Sequence, residues 1–265
     1  MTEGLALNIG LNSVDSQSYV GWSGTLNAPE NDVKELTALA NSQGFKVTKL
    51  INMEATYNNV IEQIKKAQSL QDGDIFMFSY SGYGGMLPYI GYPDKTLCLY
   101  DRQLRYSEIL YLISKFNEGV RIISILDSST GGYRTILEKL AVKYDIEEVQ
   151  YKFAPAYIFL KLYRINKKEY DEYLRDPRFK NPQEKIKSSV IFISACEDNQ
   201  IALDGSYNSL FISKLLDVWD NGTFNGSYQN FHRTIVSQMP PYQTPTYLEL
   251  GKRNTKFVNQ KPFTI

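Results

Sequence analysis

Two hydroxyl-rich, glycine-punctuated segments stand out among the side chains able to do chemistry in this chain. They are Ser79-Tyr80-Ser81-Gly82-Tyr83-Gly84-Gly85 and Leu126-Asp127-Ser128-Ser129-Thr130-Gly131-Gly132, and each closes an apolar run. Serine and tyrosine are poor starting material for attack on a carbonyl. A serine hydroxyl has no accessible anion at neutral pH and needs a positioned base. A phenol with a pKa of about 10 is mostly a donor there. The only histidine is His232, on a helical stretch late in the chain and outside both segments. Neither segment contains a Lys or Arg that would lower a tyrosine pKa toward a usable tyrosinate. Cys98 and Cys196 have no metal-ligand spacing and make no disulfide framework. Both lie in apolar stretches, which predicts reduced, buried thiols.

The elements that must position these segments alternate along the chain. Leu5–Leu11 reads as a short buried strand and Phe45–Ile51 as an alternating one. Ile75–Tyr80, Val120–Leu126 and Ser189–Ala195 are apolar runs of strand length, and Thr244–Leu250 reads as an edge strand in which Pro245 is tolerable. Between them, Asn31 or Asp32 is expected to cap a helix carrying Val33, Leu36, Leu39 and Ala40, which Gly44 stops. Thr56 opens a second helix with Val60, Ile61 and Ile64 on one face; Ser107–Phe116, Leu210–Trp219 and Tyr228–Gln238 are helical by period. Continuous apolar strands alternating with amphipathic helices predict an α/β fold with a mostly parallel sheet covered on both faces. Functional loops in such sheets gather beyond the carboxyl ends of the strands, where both hydroxyl-rich segments fall.

The stretch from Tyr133 to Lys187 interrupts the alternation. It is rich in Tyr, Lys and Glu, and Tyr163–Leu174 has the period of an exposed amphipathic helix. A chain of 265 residues is long enough to bury a substantial core, as one large domain or two small ones. Its zero net charge gives no footprint for a nucleic-acid backbone or an anionic membrane. No apolar stretch approaches the ~20 residues of a membrane helix, and no signal peptide is visible, so a cytoplasmic protein is expected. Twenty Tyr against two Trp is a skewed aromatic usage that by itself implies only compositional drift or a recognition surface.

In order and spacing these segments resemble the caspase and metacaspase family (peptidase C14), most closely its bacterial, orthocaspase-like group. The first resembles that family's Ser-Gly-His-Gly signature and the second its Asp-Ser-Cys-His-Ser-Gly signature. Further matches are Leu26-Asn-Ala-Pro-Glu-Asn-Asp32-Val, Ser194-Ala-Cys-Glu-Asp-Asn-Gln-Ile-Ala and Gln243-Thr-Pro. The resemblance implies a caspase-like (caspase–hemoglobinase) fold with a six-stranded sheet flanked by helices on both faces. It implies a single domain over 1–265: a large-subunit-like part at 1–132, a linker or insertion at 133–187 and a small-subunit-like part at 188–265.

By the same resemblance Tyr83 stands at the position of the histidine base and Ser129 at that of the cysteine nucleophile. The backbone N–H groups of Gly84 and Ser129 stand where an oxyanion would be held, and these survive side-chain replacement. Asp32, Ser81 and Asp127 stand where the family builds an acidic pocket for a basic P1 side chain, a set suited to Arg or Lys. Thr130 and Gly131 replace the usual His and Ser, and Met86-Leu-Pro-Tyr replaces an acidic loop, so no metal and no cofactor are expected. The expectation is a monomeric pseudo-protease that binds a peptide or protein segment, or an active caspase-like relative, without cutting it. Two alternatives stand beside it: a slow endopeptidase with Ser129 as nucleophile, and an interaction domain using 133–187.

Overall fold

The computed structural model describes residues 2–87, 94–129 and 150–265. Six strands form the central sheet: β1 (Gly4–Gly10), β2 (Lys46–Ile51), β3 (Ile75–Ser81), β7 (Arg121–Asp127), β8 (Ser189–Ser194) and β9 (Thr246–Gly251). Their order is β2-β1-β3-β7-β8-β9, parallel except for β9, which runs antiparallel to β8 at the edge. The strands are apolar on both faces because both faces are covered. On one side Leu7, Ile9, Phe76, Phe78, Ile122 and Phe192 join a core that includes Val60 and Ile64 of α2 (Tyr57–Ala67) and Ile109 and Leu112 of α3 (Tyr106–Ile113). On the other, Met77, Ile123, Ile125 and Ile193 meet α1 (Pro29–Ser42), α6 (Leu210–Trp219) and α7 (Tyr228–Gln238). The α/β, mostly parallel six-stranded architecture is thus the one the sequence pattern predicts.

Three elements differ from the sequence reading. A small antiparallel sheet of β4 (Gly84–Leu87), β5 (Asp94–Cys98) and β6 (Gln103–Arg105) stands beside the end of β3. Its strands are three to five residues long, too short for periodicity to register. The amphipathic run expected at Tyr163–Leu174 is divided between α4 (Ala156–Ile165) and α5 (Lys167–Arg175), which meet at Asn166. Asp32 does not cap α1. The helix starts one turn earlier, with Ala28 as N-cap and Pro29 at its first position. The amides at its start are met by other parts of the chain: the Asp204 carboxylate accepts from Asn27 N at 2.6 Å and Ala28 N at 3.2 Å, and Asn12 Oδ1 accepts from Glu30 N at 3.0 Å. Thr56 does cap α2, accepting from Asn59 N. The last α-helix, α8, is Thr255–Asn259.

In-register pairing of β3 with β7 places Ser81 beside Asp127 at the carboxyl ends of adjacent central strands. Gly82 N then donates to Asp127 O at 3.2 Å. The two hydroxyl-rich segments are therefore neighbours because their strands are.

Candidate functional site

Where β3 and β7 end, three polar side chains converge. Ser81 donates to Asp32 Oδ2 at 2.7 Å, and both face the Asp127 carboxylate across a space filled by the Nζ of Lys152. Asp32, Ser81, Asp127 and Lys152 are all fully buried or within 1% of it. An ammonium has three protons to give. Lys152 spends them on Asp127 Oδ2 at 2.5 Å, Ser81 Oγ at 2.7 Å and Asp32 Oδ2 at 3.1 Å. The carboxylates are braced from α6: Ser209 N and Asn208 Nδ2 each donate to Asp32 Oδ1 at 3.0 Å, and the Ser209 hydroxyl donates to Asp127 Oδ2. Asp127 Oδ1 has no hydrogen-bond partner among the described residues.

Two carboxylates facing one ammonium leave this buried pocket with an excess of negative charge. Burial pushes the Asp127 carboxyl up to about 6, against the pull of Lys152 and with the repulsion of Asp32 added. Burial alone would lower the Lys152 pKa, but Asp127 and Asp32 more than offset it and hold the amine above the ordinary lysine value. The pocket has the charge and donor pattern of a receptor for a basic side chain, and it contains one supplied by the chain itself.

The backbone of that lysine is held as firmly as its side chain. The Lys152 carbonyl oxygen accepts from Gly84 N and from Ser129 N, both at 3.0 Å. Lys152 N donates to Ala202 O at 3.0 Å, and Asp204 N to Gln150 O at 2.9 Å, with Tyr151 bridged antiparallel to Leu203. On the other side Ala154 N donates to Gly84 O at 3.0 Å. Gln243 holds the 202–204 strip from behind, accepting from Leu203 N at 3.0 Å and donating to Ala195 O at 3.3 Å. Glycine is required at position 84, because a Cβ there would stand 2.1 Å from the Ser129 carbonyl oxygen. At Gly85 a Cβ would enter the Phe159 ring of α4.

The two hydroxyls expected at dyad positions border this arrangement but are spent elsewhere. The Tyr83 hydroxyl donates to Thr25 O at 3.0 Å and accepts from Thr25 N at 2.9 Å. Its ring packs edge-on against Trp22 with centroids 4.7 Å apart. Burial raises the phenol to about 12, so it holds its proton across the physiological range. Ser129 Oγ is fully buried and accepts from Ala202 N at 2.6 Å. Neither hydroxyl bonds to the other.

The remaining reactive types lie outside this chemistry. His232 Nε2 sits 2.9 Å from the Pro245 carbonyl, on α7, with its pKa lowered by burial. Cys196 is buried near Ser129 and its thiol is pushed up to about 12, which leaves almost no thiolate to act as a displaced nucleophile. Among the described residues no group of three or more His, Cys, Asp or Glu is placed to hold a metal. Nor is any helix there long and apolar enough to cross a membrane. Thr130, Gly131, Pro88 and Tyr89, which bear on the metal expectation, lie outside the described residues, as does 133–149 of the expected insertion.

Of the residues that the family resemblance singled out, the structure gathers Asp32, Ser81, Asp127, Gly84 and Ser129 around Lys152 and leaves the Tyr83 hydroxyl on Thr25; Lys152, Ser209 and Asn208 were not among them. Ser209 carried a usable signal, since a serine immediately before the apolar helix at Leu210 is an expected N-cap, and it does accept from Ile212 N. Lys152 carried none that separates it from the other lysines around it.

Comparison with known proteins places this geometry. The Peptidase_C14 family, described as the caspase domain, matches residues 3–258. Among solved structures, protein GSU0716 from Geobacter sulfurreducens is similar at 39% identity over 99% of both chains, with a TM-score of 0.90. Caspase-1 from Spodoptera frugiperda shares the fold at a TM-score of 0.60 and 11% identity, over 96% of this chain and 92% of that one. No curated protein matches the sequence.

Proposed function

The chain belongs to the caspase-domain family of peptidases, and we propose that it is a pseudo-protease whose cleft keeps the means to hold a basic residue but not the means to attack it. It holds a peptide or protein segment through a Lys or Arg side chain, without cutting it, and acts by sequestering that segment or by competing with an active relative. The observation that carries this reading is the double engagement of Lys152. Its ammonium lies among Asp32, Ser81 and Asp127 while its carbonyl oxygen lies on two converging backbone N–H groups. Those amides would stabilise an oxyanion if one formed.

None forms without a proton acceptor. The nearest phenol is committed to Thr25 and has a raised pKa, and the Ser129 oxygen already accepts from Ala202 N. Losing either half of a nucleophile–base pair costs several orders of magnitude in rate. The slow-endopeptidase alternative asks Ser129 to act with no base beside it, and these contacts disfavour it.

Incubation of the purified protein with Arg- and Lys-terminated reporter peptides tests the reading. The expected result is release no faster than the buffer blank, and the same for Ser129→Ala. Turnover that disappears in Ser129→Ala would overturn the proposal and establish a serine peptidase.

A further inference from the structure

The cleft that would receive a basic peptide from outside is not open, since residues 150–154 lie in it as a ligand would. Four features define the pose. The segment bends at Lys152 between two isolated bridges, Tyr151 to Leu203 and Phe153 to Gly84, and pairs antiparallel with 202–204 through Lys152 N–Ala202 O and Asp204 N–Gln150 O. Its lysine fills the acidic pocket with every ammonium proton donated. Its carbonyl sits on Gly84 N and Ser129 N, and the pairing passes to the far side of that carbonyl through Ala154 N–Gly84 O. It ends at Pro155, which has no N–H to give and sits as the N-cap of α4. Helix α4 then anchors the segment by burying Ile158, Phe159 and Leu162. The lysine–phenylalanine bond at 152–153 thus lies where a peptide chain would cross the site.

We propose that residues 150–154 are a built-in pseudosubstrate, and that the cleft admits an outside peptide only when this segment leaves. Lys152 is its anchor, and the ligand that displaces it is an extended segment offering a Lys or Arg to Asp32 and Asp127. The inference rests on the peptide-binding reading above and adds its regulation. A protein whose binding-competent state is a minor one binds more weakly by the fraction that is open. Clearing the pocket therefore tightens binding without adding a contact to the ligand. No covalent bond is made or broken in this switch.

Two measurements test it. Amine labelling of the folded wild-type protein by reductive dimethylation, read by mass spectrometry, requires no substitution. Lys152 is expected to label at least about tenfold more slowly than Lys46, Lys66 and Lys252, whose side chains are 75%, 61% and 66% exposed, because it is buried and its proton is tightly held. Labelling at the rate of those surface lysines would show that the lysine is not resident and would overturn the proposal. The second measurement is fluorescence anisotropy with a fluorescein-labelled heptapeptide, Val-Gln-Tyr-Lys-Phe-Ala-Pro, the chain's own residues 149–155. Lys152→Ala is expected to bind it at least about tenfold more tightly than wild type, and Asp127→Asn added to Lys152→Ala to lose that gain. Equal affinity of wild type and Lys152→Ala would overturn the gate while leaving the peptide-binding reading intact. No binding by either protein, with Lys152 still protected from labelling, would overturn the peptide-binding reading and the gate with it.

Discussion

The pocket around Lys152 and the hydroxyl pair at Tyr83 and Ser129 lie at the ends of the same two strands, yet they have been kept in different ways. In the pocket every ammonium proton of Lys152 has an acceptor, and Asp32 is bonded at both oxygens. At the hydroxyl pair each group has turned to a backbone partner, Thr25 for the phenol and Ala202 for the alcohol. On the proposed reading, recognition and attack separate. Recognition would use carboxylates and main-chain amides, and the amides are independent of side-chain identity. Attack would depend on the side chains at two positions, and there both hydroxyls are tied to backbone partners.

Removing the lysine sharpens the comparison most. A buried ion pair cut from one side leaves uncompensated charge and costs about 3–5 kcal/mol. Lys152→Ala strands two buried carboxylates rather than one, so the upper end of that range is expected, measured as the fall in urea-unfolding free energy. Lys152→Ala combined with Asp127→Asn should recover part of the loss, because one stranded charge is gone. If Lys152→Ala costs nothing, the ammonium is not seated among those carboxylates and the contrast between the two regions disappears.

Ser129→Ala probes the other region and should cost less, about 1–3 kcal/mol, because it strips the acceptor from the buried Ala202 N–H. Loss of stability with no change in peptide turnover is the expected pair of results. The pH dependence of the pocket follows from the raised pKa of Asp127. A carboxyl whose folded pKa exceeds its unfolded value binds more protons folded than unfolded between the two. Its contribution to stability therefore falls as pH rises through that window and is most favourable below it. Between about pH 4 and about pH 6 the wild type should lose up to about 1.4 kcal/mol per pH unit relative to Asp127→Asn. An identical pH profile for the two proteins would mean that Asp127 titrates normally.

What could be read beforehand divides along the same line. The sheet was legible because strands covered on both faces are continuously apolar, as Ile75–Tyr80 and Val120–Leu126 are. That Ser81 and Asp127 share a site was implied by the family resemblance, and the structure supplies the reason, two adjacent strands ending together. Lys152 was not legible, because nothing local marks one lysine in a Lys-rich stretch as the one that crosses the site. Its burial is decided by pairing with 202–204, fifty residues later in the chain. The start of α1 failed for the same reason, since its entry is held by Asp204 on the Asn27 and Ala28 amides and by Asn12 on the Glu30 amide. The short strands β4–β6 are three to five residues long and leave no period to detect.

Tyr83→Phe is the smallest of these changes and the most specific to the hydroxyl. It keeps the ring against Trp22 and deletes only the oxygen that bridges Thr25 N and Thr25 O. Thr25 is exposed, so water can replace both bonds, and the cost should stay near the net value of an ordinary hydrogen bond, about 0.5–1.5 kcal/mol. A phenol that served as a proton acceptor would show a second effect, a change in any residual peptide turnover. One that only ties the loop at Gly24 to the end of β3 would not. A small fall in the unfolding midpoint with unaltered reporter hydrolysis therefore assigns Tyr83 to the scaffold. A loss of hydrolysis in Tyr83→Phe would return it to the chemistry and erase the distinction between the two regions.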